Sequence, residues 1–146
     1  MVDMRLEVII LPVSDVDRAR AFYEQAGFHL DVDHQPNDEF RVVQFTPPGS
    51  ECSVTFGIGL GAVPDSPLKG IHLCVTDIEE AVAELTSRGV ETDPIRHMGP
   101  AGWEDGPDPE RRKYGSYSGF TDPEGNGWLL QEVGHGASRE ERHDEV

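Results

Sequence analysis

The 146-residue sequence has few cysteines, few basic residues and no long hydrophobic run. Its two cysteines, Cys52 and Cys74, do not have CxxC spacing, which disfavours a disulfide framework and a structural zinc site. Every apolar stretch is shorter than the roughly 20 residues that a membrane-spanning helix needs. The apolar stretch near the start is short, ends at Pro12 and makes a poor secretory signal. We therefore expect a cytoplasmic protein with no membrane partner.

Positive charge is also scarce. Lysine and arginine number 12 against 28 aspartates and glutamates, which gives a formal net charge of −16. Such a chain repels phosphate backbones, and its one basic run is Arg111, Arg112 and Lys113. We therefore expect no nucleic-acid partner. Hydrophobic residues make up 36% of the sequence, which is enough for the core of one globular domain.

The sequence contains an internal repeat. The segment LPVSDVDRARAFYEQAGF, which ends at Phe28, aligns with LCVTDIEEAVAELTSRGV, which ends at Val90. Further on, QFTPPGSECSVTF from Gln44 aligns with GFTDPEGNGWLLQE from Gly119, with one extra residue in the second copy. A repeat that occurs only twice indicates a duplicated module and not a solenoid, which needs at least three units.

Each copy predicts one strand, one helix and three further strands. Apolar runs at 5–12 and 70–75 are too short for helices and predict strands. A helix follows each run, beginning at a hydroxyl capping residue, Ser14 or Thr76, and ending at a glycine. The remaining strands are expected near 28–34, 39–46 and 51–58 in the first module and near 91–97, 114–120 and 126–133 in the second. The predicted order is βαβββ, twice.

We predict a single domain over residues 1–133, with modules at about 5–58 and 70–133. A long loop at 98–113 has no equivalent in the first module and is typical of a lid or binding loop, or otherwise of disorder. Within it, Asp108-Pro109 predicts one short helical turn. The tail, 134–146, has almost no apolar side chain and is expected to be disordered.

These motifs, in this order, are similar to those of a known family. The segments LPVSDVDRARAFYEQAGF and FTDPEGNGWLLQEV on a duplicated frame resemble the glyoxalase I, bleomycin-resistance and extradiol dioxygenase superfamily, the vicinal oxygen chelate proteins. The resemblance, over about residues 5–133, implies an α+β fold of two tandem βαβββ modules whose curled mixed sheets enclose a cavity. It also implies a homodimer. Family enzymes hold a divalent metal in the cavity, whereas resistance members without metal sequester a drug there.

The family's metal-binding positions carry no ligand in this sequence. The resemblance places them at Val8, Gly70 and Leu129, none of which can bind a metal through its side chain. By strand parity, His72 and Gln131 face the same side as Gly70 and Leu129. One good and one weak ligand fall short of the three protein ligands of ordinary zinc or iron sites. We predict no metal and no cofactor, with a divalent metal bound through His72 as the alternative.

Other candidate ligand-binding residues lie in and after the long loop. Trp103 either closes over a ligand or attaches the loop to the sheet. Arg111 either holds a ligand anion or pairs with surface carboxylates. In YGSYSGF, alternation places Tyr114, Ser116 and Ser118 on one face, which suits either an oxygenated apolar ligand or cross-strand packing.

Parity makes a separate prediction for two residues of the last strand. Trp128 and Glu132 have the parity opposite to Leu129 and Gln131, so they are expected to face away from the cavity. For Trp128 this favours packing against a helix.

Two functions remain open from the sequence. The leading hypothesis is a metal-independent protein that binds or sequesters an aromatic or polyoxygenated metabolite or antibiotic. The alternative is a glyoxalase-like lyase, isomerase or dioxygenase in which His72 is a metal ligand or a general acid/base. His72, on a strand expected to be central, is otherwise a hydrogen-bonded core histidine or a contact to the ligand. Fold analogy does not choose between these functions.

Overall fold

The computed structural model describes residues 1–135, which form two compact units. The first comprises Met1–Leu68 with Asp122–Asn126, and the second comprises Lys69–Thr121 with the chain from Gly127 onward. Most of the tail for which disorder was expected, residues 136–146, lies outside the described residues. None of the helices in the described part of the chain is both long and apolar enough to span a bilayer.

The first unit contains one helix and a four-stranded mixed sheet, with the elements β1 (Val8–Ile10), α1 (Val16–Gln25), β2 (His29–Asn37), β3 (Phe40–Thr46) and β4 (Ser53–Ile58). The strand order is β1-β4-β3-β2, with β1 parallel to β4 and the other neighbours antiparallel. Helix α1 packs on one face of this sheet. There the ring centroid of Tyr23 lies 5.9 Å from that of Phe45 and 5.8 Å from that of Phe56, with the rings tilted, and all three side chains are buried.

The second unit repeats this arrangement and adds a strand, with the elements β5 (Ile71–Val75), α2 (Ile78–Ser87), β6 (Arg96–Gly99), β7 (Gly102–Asp105), β8 (Ser116–Thr121) and β9 (Gly127–Glu132). The order is β5-β9-β8-β6-β7, and without β7 it matches the order of the first unit. The predicted α+β fold with two tandem βαβββ modules is therefore confirmed. The sequence predicts a central strand for His72. Strand β5, which carries His72, lies at the edge of its sheet instead.

The added strand comes from the segment that the sequence predicts to be a loop. Residues 102–105 pair antiparallel with β6, so that Gly99 lies opposite Gly102 and Met98 opposite Trp103. Pro100 and Ala101 form the tight turn of this hairpin between Gly99 and Gly102, and Gly102 has a positive φ of +122°. The segment after it forms a hydrogen-bonded turn at Asp108, with no helix between 106 and 115.

Both helices begin at an aspartate, one residue after the predicted hydroxyl caps. The Oδ1 atoms of Asp15 and Asp77 each accept a 3.1 Å hydrogen bond from the backbone amide three residues later. A carboxylate at this position satisfies an amide that has no partner within the helix and interacts favourably with the helix dipole. The predicted helix-ending glycines are confirmed, since Gly27 and Gly89 have φ values of +91° and +84°.

The turn DPEGN supports α1 within the first unit. Glu124 accepts hydrogen bonds from the Ser14 amide and hydroxyl at 2.9 and 2.8 Å, and from the Asp15 amide at 2.9 Å. Buried Asp122 accepts a 2.6 Å hydrogen bond from the Tyr23 hydroxyl. This turn therefore holds the start and the last turn of α1 in place.

Candidate functional site

The five-stranded sheet of the second unit has one face covered by α2. Glu132 marks this face, because its Oε2 accepts a 2.8 Å hydrogen bond from the Ile78 amide at the start of α2. Residues directly opposite one another in neighbouring strands point to the same face. The register therefore places five further residues on the covered face: Ser116, Ser118, Phe120, Trp128 and Leu130. All five are buried, which confirms the parity predicted for Trp128 and Glu132.

The opposite face of this sheet carries the other candidate residues. The same register runs from Cys74 to Gln131, Tyr117, Arg96 and Asp105 in one row across all five strands. A second row contains His72, Leu129 and Gly119, and a third contains Met98 and Trp103. This surface is called the open face below, to distinguish it from the face under α2.

The two predicted serines are on the covered face and bond to protein atoms. Ser116 Oγ accepts a 2.9 Å hydrogen bond from the Asp108 amide, and Ser118 Oγ donates a 2.7 Å hydrogen bond to the Asp93 carbonyl. These hydrogen bonds connect the segments around Asp108 and Asp93 to β8. In this structure the cross-strand packing alternative describes them better than a ligand contact does.

Tyr114 precedes β8, so the alternation of the strand does not extend to it. Its backbone is left-handed, with φ +59°, and its amide donates a 2.8 Å hydrogen bond to the Glu132 carbonyl. Its own carbonyl accepts a 3.1 Å hydrogen bond from Gln131 Nε2, which also lies 3.1 Å from the Tyr117 hydroxyl. Gln131 is therefore on the open face and linked to Tyr117.

Three side chains of the open face form what we call the Trp103 cluster: Trp103, Tyr117 and Arg96. The Trp103 and Tyr117 rings meet edge to face, with centroids 5.5 Å apart and planes at 85°. The Arg96 guanidinium lies over the Trp103 ring, 5.7 Å from its centroid. Trp103 nevertheless remains 55% exposed. An exposed aromatic ring held by neighbours suits contact with another flat molecule.

Sequence reasoning missed two members of this cluster. Neither Arg96 nor Tyr117 is among the candidate residues that the sequence indicates. A signal for Tyr117 was present, because the alternation that places the two serines on one face of β8 places Tyr117 on the other. No comparable signal identified Arg96, whose role depends on the β6–β7 hairpin.

His72 is exposed on the edge strand β5 and is not a core histidine. Its Nδ1 lies 2.6 Å from the Gly70 carbonyl oxygen, so Nδ1 acts as the donor. In the neutral ring this leaves Nε2 as a hydrogen-bond acceptor. Strand β9 separates β5, which carries His72, from β8, which carries Tyr117 of the Trp103 cluster.

Arg111 binds carboxylates of its own unit. Its Nε lies 2.9 Å from Glu132 Oε1, and its remaining nitrogens contact Glu79 at 2.9 Å and Asp77 at 3.4 Å. These contacts hold the backbone of Arg111 left-handed, at φ +48°. Of the two interpretations of Arg111, the structure shows pairing with carboxylates.

The environment of Glu132 keeps its carboxylate ionised. Burial, the largest effect, raises the pKa of Glu132, but hydrogen bonds from the Arg111 guanidinium and the Ile78 amide together outweigh it. The pKa of Glu132 is therefore lower than its ordinary value of 4.5. Arg111 in turn has its pKa raised, first by its hydrogen bonds to Glu132.

The residues at the family's metal positions do not fit a metal. Val8 and Leu129 have hydrocarbon side chains, and Gly70 has none. Within residues 1–135, one other group brings three possible ligand atoms within 4.8 Å of one another: Asp77, Glu132 and His135. Arg111 already forms salt bridges with two of these residues, so its charge occupies the place that a cation would take.

Comparison with known proteins identifies the family. The model of the Glyoxalase/Bleomycin resistance protein/Dioxygenase superfamily matches residues 5–130. TnmS3, an antibiotic binding protein from Streptomyces sp. CB03234, is 30% identical over 91% of this chain and 98% of its own, with a TM-score of 0.66. A glyoxalase/bleomycin resistance protein from the same Streptomyces strain is 31% identical over 87% and 99% of the two chains, with a TM-score of 0.61. A superfamily member from Sphaerobacter thermophilus DSM 20745 is 29% identical over 88% and 97%, also with a TM-score of 0.61. No curated protein matches this sequence.

Proposed function

Because the chain belongs to the Glyoxalase/Bleomycin resistance protein/Dioxygenase superfamily, we propose that it binds a small aromatic or polyoxygenated molecule without a metal. By holding such a metabolite or antibiotic, the protein would sequester it. The observation that carries this proposal is the Trp103 cluster on the open face, where a large aromatic ring is held by its neighbours yet remains more than half exposed.

The Trp103 cluster supplies apolar contact for a flat ligand. Trp103 and Tyr117 are already fixed edge to face, so little side-chain freedom is lost when a third ring packs against them. Met98 lies directly opposite Trp103 on β6 and is also exposed, which extends the apolar area. A methionine adapts its shape to irregular ligands more readily than a branched residue does.

Polar groups on the same face suit oxygen atoms of a ligand. The Tyr117 hydroxyl and the Gln131 amide lie 3.1 Å apart, and together they offer both donors and acceptors. A few polar groups set among apolar ones are typical of sites that orient small molecules. The antibiotic-binding activity of TnmS3, which is 30% identical, supports the same class of function.

An enzymatic function is the second candidate, and it rests on His72. Because Nδ1 of His72 donates to the Gly70 carbonyl, Nε2 is available to accept a proton from a bound substrate. This alternative predicts product formation that His72→Gln abolishes. Binding without turnover, unchanged in His72→Gln, would support sequestration instead.

The proposal also includes a homodimer in the cytoplasm, as the family resemblance implies. Light scattering coupled to size-exclusion chromatography gives the mass of the assembly directly. If the measured mass at micromolar concentration is that of a monomer, the proposed homodimer is wrong. The proposed ligand site on the open face does not depend on this result.

Intrinsic fluorescence tests the site, because the chain has only two tryptophans. Trp128 is buried and stacked on Phe120, so quenching by an added flat, oxygenated aromatic antibiotic reports on Trp103. We expect quenching in the wild type and none in Trp103→Phe. In calorimetry, Trp103→Ala should weaken binding by about tenfold, the usual effect of losing an aromatic contact.

Phe40→Ala is the matched control, because it removes an exposed aromatic side chain from the first unit. This variant should bind like the wild type. Equal quenching in Trp103→Phe and the wild type would place the ligand elsewhere and contradict the proposed site.

A further inference from the structure

Arg96 is an unusual arginine in a strongly acidic protein. Each of the other arginines within residues 1–135 forms a salt bridge with a carboxylate: Arg5, Arg18, Arg20, Arg41, Arg88, Arg111 and Arg112. Arg96 forms no such pair among the described residues. Acidic residues outnumber basic ones 28 to 12, so carboxylates that could pair with an arginine are plentiful in this chain.

The position of Arg96 in the sheet would favour a salt bridge. The register places Asp105 of β7 directly opposite Arg96, the arrangement in which opposite charges usually pair across strands. The guanidinium instead lies over the Trp103 ring, 5.7 Å from its centroid. This contact with the ring uses no hydrogen-bond acceptor, so the N–H groups of the guanidinium remain able to donate.

Tyr117 lies directly opposite Arg96 on the other side, on β8. Strand β6, which carries Arg96, therefore lies between the strands that carry Tyr117 and Trp103, the two aromatic residues that would contact a flat ligand. A ring that packs against Trp103 and Tyr117 brings its substituents close to the donors of Arg96. A guanidinium in this position binds a carboxylate through two parallel, charge-assisted hydrogen bonds.

Resting on the proposed function, we infer that the open face selects aromatic ligands that carry an acidic group, a carboxylate or an ionised phenol, and that Arg96 is the residue that recognises this group. The net charge of −16 works in the opposite direction, because over long distances it favours cationic ligands. Salt screens long-range fields beyond about 10 Å at 0.1 M, whereas a direct contact with Arg96 is screened much less. The net charge therefore predicts a preference for cationic ligands, whereas the contact with Arg96 predicts a preference for anionic ones.

Three probes of the same size separate the two effects: naphthoate, naphthamide and naphthylmethylammonium, which are anionic, neutral and cationic. Calorimetry of each probe with the wild-type protein gives the order of affinity. We expect naphthoate to bind about tenfold more tightly than naphthamide, with naphthylmethylammonium the weakest. In Arg96→Gln the anionic and neutral probes should bind within about twofold of each other, and Arg96→Lys should keep part of the preference.

Arg88→Gln is the matched control, because it removes a positive charge from the surface of α2 in the same unit. It should keep the full preference for naphthoate. Equal affinity for naphthoate and naphthamide, tighter binding of the cationic probe, or an unchanged preference in Arg96→Gln would each overturn the inference while the proposed function stands. If none of the three probes binds, the proposed function fails, and the inference with it.

Discussion

Arg111 holds the fully buried carboxylate of Glu132, with Nε 2.9 Å from Oε1 and a second guanidinium nitrogen on Oε2. The two residues are 21 positions apart. Their contact joins the segment after the β6–β7 hairpin to β9, the last strand in chain order. Glu132 also accepts a hydrogen bond from the first turn of α2. One carboxylate thus connects a loop, a strand and a helix.

We expect Arg111→Gln to destabilise the protein strongly. The variant leaves a buried carboxylate without its counter-charge, which costs about 2–4 kcal/mol of unfolding free energy. Urea denaturation followed by circular dichroism measures the loss. Arg88→Gln, which breaks an exposed pair on α2, should change stability by less than about 0.5 kcal/mol. Similar losses in both variants would mean that the contact with Glu132 contributes no more than a surface salt bridge.

The same pair predicts how stability depends on pH. The folded-state pKa of Glu132 is lower than the unfolded value near 4.5, so its contribution is present above that pH and is lost as pH falls through the folded pKa. We expect the pKa of Glu132 to rise without Arg111, because burial is the largest effect on it and the Arg111 hydrogen bonds are the largest that oppose burial. Arg111→Gln should therefore gain stability between about pH 7 and 5, where the wild type changes little.

Glu132→Gln serves as the control for this pH dependence. Combined with Arg111→Gln, it removes the titrating group, so the gain on mild acidification should disappear. A gain that persists in the double variant would assign the effect to another carboxylate.

Chelator treatment tests metal independence. Val8, Gly70 and Leu129 provide no ligand atoms, and Arg111 already pairs with Asp77 and Glu132. We expect elemental analysis to find well under one equivalent of zinc, nickel, manganese or iron, and expect chelator to leave the melting temperature unchanged. A stoichiometric metal would contradict the proposal. Its loss in His72→Ala or in His135→Ala would then show which group binds it.

Glu124→Ala tests the role of the DPEGN turn. Glu124 accepts hydrogen bonds from the amides of Ser14 and Asp15 and from the Ser14 hydroxyl. Loss of these bonds at the start of α1 should cost about 1–2 kcal/mol, as for other helix caps. Glu84→Ala on the exposed surface of α2 is the control and should change stability by only a few tenths. Thermal unfolding of both variants gives the comparison.

Local patterns in the sequence were sufficient for both helices and for the strands of the described chain other than β7. Capping residues placed the starts of α1 and α2 to within one residue, and glycines marked both helix ends, because these features depend on residues close together in the chain. Strand alternation placed Trp128 and Glu132 correctly on the covered face. The motif positions also showed that the family's metal ligands are missing, since that conclusion needs only residue identities.

The tertiary structure decided which residues meet. Whether Arg111 binds a ligand or a carboxylate depended on Glu132, which is distant in sequence and reaches it only through the sheet. Trp103 acquired Tyr117 and Arg96 as neighbours because residues 102–105 form a strand beside β6, for which the repeat gave no signal since the first module has no equivalent segment. Local sequence determines periodicity and turns, whereas cross-strand contacts depend on register, and register is set by the packing of the whole sheet.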